Sequence, residues 1–186
     1  LCALSMAAVL AADHKRVLVV DTDVYAAAKR KAARVPGFGN VLNGECELQD
    51  VVRSVQVPFG EFQRVTAGTV PAHAGELFSR GNLARVLNEA RAHFDFVLLD
   101  AQSCPASTDP LLLAAESDLV LSVIRLRRTP REFVEGHLRA VSTWGRRCAI
   151  VLNDVRSAST YPEHPRPRAA ARRSLTPLRV IHPYTP

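Results

Sequence analysis

The stretch Val17-Leu-Val-Val-Asp-Thr-Asp23 decides the fold class, because four consecutive apolar residues are followed at once by two acids. A short apolar run without alternation is typical of a strand that is buried on both faces of a parallel sheet. Phe96-Val-Leu-Leu-Asp100 has the same design, and it follows a segment whose apolar residues have helical spacing. The two stretches together predict an α/β fold.

The rest of the chain alternates between helical patterns and short apolar runs. An Ala-rich helix is expected before residue 13, and short strands follow it. Further helices are predicted over 26–34, 83–93, 111–115 and 131–143, further strands over 62–66, 119–124 and 149–152, an amphipathic stretch over 40–52 and a loop over 71–75. We therefore expect a mostly parallel sheet with helices on both faces.

The charge is concentrated at the end of the chain. The net charge is +6, but residues 156–186 contain six Arg and one acid, which leaves 18 basic against 17 acidic residues in the remainder. A nearly neutral body argues against a nucleic-acid-binding domain. We predict one domain over 1–155 and a disordered tail, rich in Arg, Pro and Ser, over 156–186.

Composition also indicates the compartment. The four cysteines, at positions 2, 46, 104 and 148, lack the spacing of a zinc site or a disulfide framework, so reduced thiols and a cytoplasmic location are expected. No apolar run is long enough to span a membrane. The first twelve residues imitate the apolar part of a signal peptide, but they lack a basic start and lead directly into a strand. Because the first residue is Leu, we expect a fragment of a longer protein.

Polar residues follow the ends of the predicted strands. These residues are Asp21, Asp23, Asp100, Arg125 and Asn153. Ligands of parallel sheets bind at the carboxyl ends of strands, and Mg²⁺ prefers carboxylate oxygens together with substrate phosphates. We therefore interpret the acids as a candidate phosphoryl-transfer site, although any single Asp at a strand end could instead cap the helix that follows.

These stretches resemble the deviant P-loop class, which contains MinD/ParA-type ATPases and bacterial tyrosine autokinases. Residues 17–23 look like the second acidic motif of that class, 96–100 like its Walker B strand, and Val151-Leu-Asn153 like the strand end whose Asn contacts adenine. The segments 36–52, 67–79 and 122–129 resemble the tyrosine-kinase branch in order and spacing. The resemblance covers residues 1 to about 155 and implies a three-layer fold similar to P-loop NTPases.

The resemblance also implies an activity and a set of roles. A tyrosine autokinase uses ATP and Mg²⁺, so Asp100 and one of Asp21 and Asp23 would hold Mg²⁺ through water while the other accepts the tyrosine proton. Asn153 and Arg125 would contact the nucleotide. Tyr161 and Tyr184 are the remaining candidate phosphoacceptors in the tail. By this resemblance, Asp23 and Asp100 are the candidate metal ligands, and Asp21 and Asp23 are the candidate catalytic residues.

The family further implies partners and a setting. Its members regulate exopolysaccharide or capsule polymerisation and export as homo-oligomers at the inner face of the plasma membrane, beside a membrane-embedded chain-length regulator. This sequence departs from the family pattern: the Gly-Lys-[Ser/Thr] phosphate loop would precede Leu1, Tyr25 replaces an Arg, and His73-Ala74 replaces Asn-Pro. A MinD/ParA-type positioning ATPase and a non-catalytic pseudo-kinase are therefore the alternative hypotheses.

Overall fold

The computed structural model describes residues 2–24, 35–69, 77–78, 80–102, 109–143 and 147–155. The helices are α1 (Cys2–Ala12), α2 (Phe38–Leu42), α3 (Leu48–Val51), α4 (Arg80–His93), α5 (Asp109–Ala115) and α6 (Arg131–Thr143). The strands are β1 (Val17–Asp21), β2 (Arg53–Val57), β3 (Gly60–Val65), β4 (Phe96–Asp100), β5 (Leu119–Arg125) and β6 (Arg147–Asn153). The helix predicted over 26–34, the loop over 71–75 and the tail with Tyr161 and Tyr184 lie outside the described residues.

The strands form a mainly parallel arrangement, which confirms the α/β fold class. In the first sheet the order is β2-β3-β1-β4, and β1 runs parallel to both of its neighbours. Strands β5 and β6 pair in parallel as a second, two-stranded sheet. The described strands form two hydrogen-bonded groups, because β4 and β5 each make ladder hydrogen bonds along only one edge.

The sequence patterns missed one strand. β2 pairs antiparallel with β3 through a tight connection, and it lies directly after the amphipathic stretch expected over 40–52, where no element was predicted. Val55 and Val57 alternate with exposed polar residues, so the strand has only a half-buried face and lacks the continuous apolar run of β1. A half-polar strand at the edge of a sheet carries a weaker hydrophobic signal than a central strand does.

Helices cover the four-stranded sheet on both faces. On one face α1 packs through Ala7 and Ala11 against alternate residues of β1 and against Phe62 of β3. On the other face, residues of α2 to α5 pack against Leu18, Val20 and Val65. Alternate residues of β1 therefore point into two separate cores, which explains why its apolar run is continuous. Among the described helices, none is both long and apolar enough to cross a membrane.

A buried amide holds the segment after β3 against the start of α2. Asn40 Oδ1 accepts hydrogen bonds from the backbone N–H groups of Gly37 and Thr69, both at 3.0 Å. Its Nδ2 donates to Glu45 and to Thr69 Oγ1, both at 2.6 Å. The Asn40 side chain is thus fully engaged in the interior, and it fixes the two loops beside the carboxyl edge of the sheet.

An ion pair lies at the opposite edge of the sheet, where β1 and β4 begin. Asp95 accepts hydrogen bonds from the backbone N–H of Arg16 at 2.8 Å and from its guanidinium at 2.7 Å. Both side chains are exposed to solvent, yet the Arg16 hydrogen bonds lower the pKa of Asp95 to about 2. The pair therefore joins the amino ends of β1 and β4 when the carboxyl group is ionised.

This ion pair predicts a pH dependence of stability. Because the folded-state pKa of Asp95 lies below its unfolded value, its contribution is complete above pH 4 or so and is lost as the pH falls towards about 2. In urea unfolding, the wild-type chain should be more stable than Asp95→Asn at pH 6, and the difference should shrink by pH 2. A difference that does not change with pH would contradict the assignment.

Candidate functional site

Asp21 and Asp100 lie side by side at the carboxyl edge of the first sheet. They are register partners on the adjacent parallel strands β1 and β4. Just beyond them, Thr22 donates two hydrogen bonds to the Asp100 carbonyl, from its N–H at 3.1 Å and from its hydroxyl at 3.0 Å. Two carboxylates predicted from separate motifs are therefore neighbours on rigid strands, and the buried Thr22 fixes the backbone between them.

Asp23 stays close to the same edge through a local turn. Its backbone N–H donates to Asp21 Oδ1 at 3.2 Å, so Asp21 holds the chain as it leaves β1. This hydrogen bond is equally consistent with the simpler interpretation, in which these acids only cap the backbone that follows the strand. The structure places the three acids in one region, and their catalytic and metal-binding roles remain predictions.

Arg64 of β3 is a residue of this edge that the sequence patterns did not identify. Its guanidinium lies 3.6 Å from Asp21 Oδ2, on the strand that flanks β1. In the mixed polar and apolar sequence of β3, an Arg is easily interpreted as a solvent-exposed residue. Only the parallel register of β1 and β3 brings it beside the acid.

Helix α1 points its amino end towards the same edge. Only four residues separate α1 from β1, so the helix must run back along the strand that follows it. Its first turn contains no acidic residue that would neutralise the positive end of the helix dipole. The carboxyl edge therefore combines acidic side chains with a helix end that favours anions.

Arg125 and Asn153 form a second pair, at the carboxyl edge of the β5–β6 sheet. They are register partners, and the Asn153 carbonyl accepts a hydrogen bond from the N–H of Leu126 at 2.9 Å. The Asn153 side chain accepts a bond from the N–H of Asp154 at 2.9 Å, while Arg125 contacts Asp154 at 3.3 Å. The two predicted nucleotide contacts are brought together, but in a different sheet from the acids.

The acidic side chains of this edge suit Mg²⁺ better than a metal ion that must be surrounded by protein ligands. In the described residues, no three His, Cys, Asp or Glu side chains converge on a point that could hold a metal ion. Mg²⁺ needs no such cage, because it keeps several waters and takes one or two carboxylates together with substrate phosphates. Asp21 and Asp100 could supply that pair of ligands, and the phosphate oxygens would come from the nucleotide.

Two surface grooves, each of about 340 Å³, lie elsewhere in the described part of the molecule. One is lined by residues that include Cys46 and Glu47. Burial, together with nearby acids, raises the pKa of the Cys46 thiol, so the groove offers no ready nucleophile at neutral pH. The other lies at the amino end of the sheet, beside Arg16. Neither includes the acids of the carboxyl edge.

Comparison with known proteins supports one family. No protein-family model matches the chain. The tyrosine-protein kinase ptk of Acinetobacter johnsonii is 28% identical over 159 residues, which is 83% of this chain and 21% of that protein. The chain thus spans about a fifth of the length of this relative.

Solved structures show the same relationship. The kinase domain of the Escherichia coli tyrosine kinase ETK is 25% identical, with a TM-score of 0.68 over 87% of this chain and 66% of that one. A chain of the MinC:MinD cell division protein complex of Aquifex aeolicus is 13% identical, with a TM-score of 0.63 over 82% of this chain and 62% of that one, and this likeness shows the fold alone. The chain is a P-loop NTPase-like homologue of bacterial tyrosine-protein kinases.

Proposed function

We propose that this chain provides the metal-binding and acceptor-facing part of a bacterial protein-tyrosine autokinase site. The observation that carries the proposal is the pairing of Asp21 with Asp100 on adjacent parallel strands. Neighbouring carboxylates at strand ends suit the binding of Mg²⁺ with a nucleotide phosphate.

Each residue of the edge has a place in this proposal. Asp100 and one of Asp21 and Asp23 would hold Mg²⁺ through water, and the other would orient the tyrosine hydroxyl and accept its proton. Mg²⁺, when bound, neutralises charge on the transferred phosphoryl group. Asn153 and Arg125 contact the nucleotide, and tail residues Tyr161 and Tyr184 are candidate acceptors.

The wider setting follows from the resemblance to autokinases. We propose that the whole protein acts at the inner face of the plasma membrane as a homo-oligomer. There it would regulate exopolysaccharide or capsule export beside a membrane-embedded chain-length regulator. The similarity of the fold to MinD leaves a positioning ATPase as an alternative, without any feature of the site that favours it.

A non-catalytic interaction domain is the second candidate, and Arg64 favours it. A guanidinium 3.6 Å from Asp21 Oδ2 competes with a divalent cation for that carboxylate. In such a pseudo-kinase, the domain would bind its partner without turning over ATP.

Transfer of labelled γ-phosphate tests the proposal. The purified chain is incubated with ATP and Mg²⁺, and mass spectrometry then locates phosphotyrosine on the chain. We expect phosphotyrosine in the wild-type chain and its loss in Asp100→Asn. Absence of transfer from the wild-type chain would overturn the kinase proposal, and absence of Mg²⁺ binding as well would support the second candidate.

A further inference from the structure

Arg64 has hydrogen-bonding capacity that its surroundings do not use. Within the part of the chain that the structure describes, its buried Nε has no hydrogen-bond acceptor. Its nearest acidic partner is Asp21 at 3.6 Å, which is an ion pair but too long for a good hydrogen bond. Buried polar groups without a partner are uncommon in folded proteins and each calls for an explanation.

The position of Arg64 at the ligand-binding edge follows from the sheet. Phe62, two residues earlier in β3, packs under α1, so Arg64 lies on the face that α1 covers. Val19 of β1 packs under α1 in the same way, which places Asp21 on that face too. The Arg64 side chain is 38% exposed, so solutes can reach part of it, although its Nε atom is buried.

A second cation lies next to Arg64. Arg53 of β2 is its direct register partner across the antiparallel pair. Like charges directly opposite each other on neighbouring strands are unfavourable. The carboxylate of Asp21 neutralises only one of the two guanidinium groups. The Arg53 guanidinium donates hydrogen bonds to the backbone carbonyls of Asp50 and Val52, both at 2.8 Å. Its hydrogen-bond partners are therefore neutral oxygens and not a carboxylate. Arg53 and Arg64 therefore place two guanidinium groups side by side next to the acids of the carboxyl edge.

We propose that Arg64 is an anion-binding residue of the carboxyl edge and that its ligand is a phosphoryl group. The planar guanidinium fork matches phosphate oxygens, and the amino end of α1 favours negative charge on the same face. Asp21 holds the guanidinium loosely and competes with the anion for it. This inference goes beyond the proposed kinase function, since binding of phosphate requires neither Mg²⁺ nor transfer.

Calorimetry with inorganic tripolyphosphate in EDTA tests the inference. We expect the wild-type chain to bind it, Arg64→Leu to weaken binding by at least about tenfold, and Arg64→Lys to retain part of the affinity. Asp21→Asn should bind more tightly, because the competing carboxylate is gone. Arg147→Leu, which removes a cation at the amino end of β6, is the matched control and should bind like the wild-type chain.

The outcomes separate this inference from the proposed function. Unchanged binding by Arg64→Leu, or an equal loss in Arg147→Leu, would overturn it, and urea midpoints verify that each variant is folded. Failure of the kinase assay leaves the tripolyphosphate result interpretable, because that titration contains no Mg²⁺. A parallel titration with ATP identifies the source of the phosphoryl group, since tighter binding of ATP with the same dependence on Arg64 points to a nucleotide.

Discussion

Replacing Gly37 by Ala is expected to destabilise the fold by about 3 kcal/mol or more. A Cβ at this position would overlap the carbonyl oxygen of Thr66, and it would lie 2.5 Å from the backbone nitrogen of Gly68. These are backbone atoms of a packed segment, so neither can rotate away as the end of a side chain could.

The close approach has a structural purpose. Phe38 N–H donates to the Thr66 carbonyl at 2.8 Å, and Gly39 N–H donates to the Ala67 carbonyl at 2.9 Å. These bonds attach the start of α2 to the chain as it leaves β3. A side chain at residue 37 would separate the two segments and break both bonds.

Urea unfolding followed by circular dichroism measures the effect. Gly81→Ala is the matched control, because nothing lies within 4 Å of a Cβ at that position in α4. Alanine is the better helix former there, so this variant should gain up to about 1 kcal/mol. Equal stability of the Gly37→Ala chain and the wild-type chain would show that the two segments are not packed as described.

Replacing Asp100 by Asn is expected to weaken binding of a divalent cation at the carboxyl edge by at least about tenfold. The change keeps the size of the side chain but removes the charge beside Asp21. The fold should be unaffected, because the Asp100 contacts that involve Thr22 use the backbone carbonyl rather than the carboxylate.

Titration with Mn²⁺ monitored by electron paramagnetic resonance measures this affinity. Asp118→Asn is a suitable control, since this acid precedes β5 and lies at the amino end of that strand. The control should bind Mn²⁺ like the wild-type chain. If Asp100→Asn bound the cation as tightly as the wild-type chain does, Asp100 would not be a ligand.

The central strands were predictable from sequence because burial on both faces leaves a strong signal. The predicted strand at 17–20 and the predicted helix at 131–143 agree with β1 and α6 to within one residue. The acids after β1 and β4 were identified for the same reason, since polar residues directly after a buried run are conspicuous. Their adjacency followed from the rule that parallel strands end at one edge.

Other features depend on partners that a linear pattern does not contain. β2 is an edge strand whose half-polar pattern is shared by many surface segments, so its pairing with β3 was missed. Arg64 is part of the site only because β3 lies beside β1 in register. The separation of Arg125 and Asn153 from the acids likewise arises from the division of the strands into two sheets.

Paramagnetic mapping of the bound cation tests the central claim, a divalent-cation site at the paired acids, most directly. Mn²⁺ is added to the isotopically labelled chain, and the broadening of backbone amide signals is recorded by NMR. The account predicts selective broadening of residues 21–23 and 100–102 that is relieved by Mg²⁺ and absent in Asp100→Asn. Broadening centred instead on the exposed acids Glu45, Glu47 and Asp50, with residues 21–23 unaffected, would contradict it.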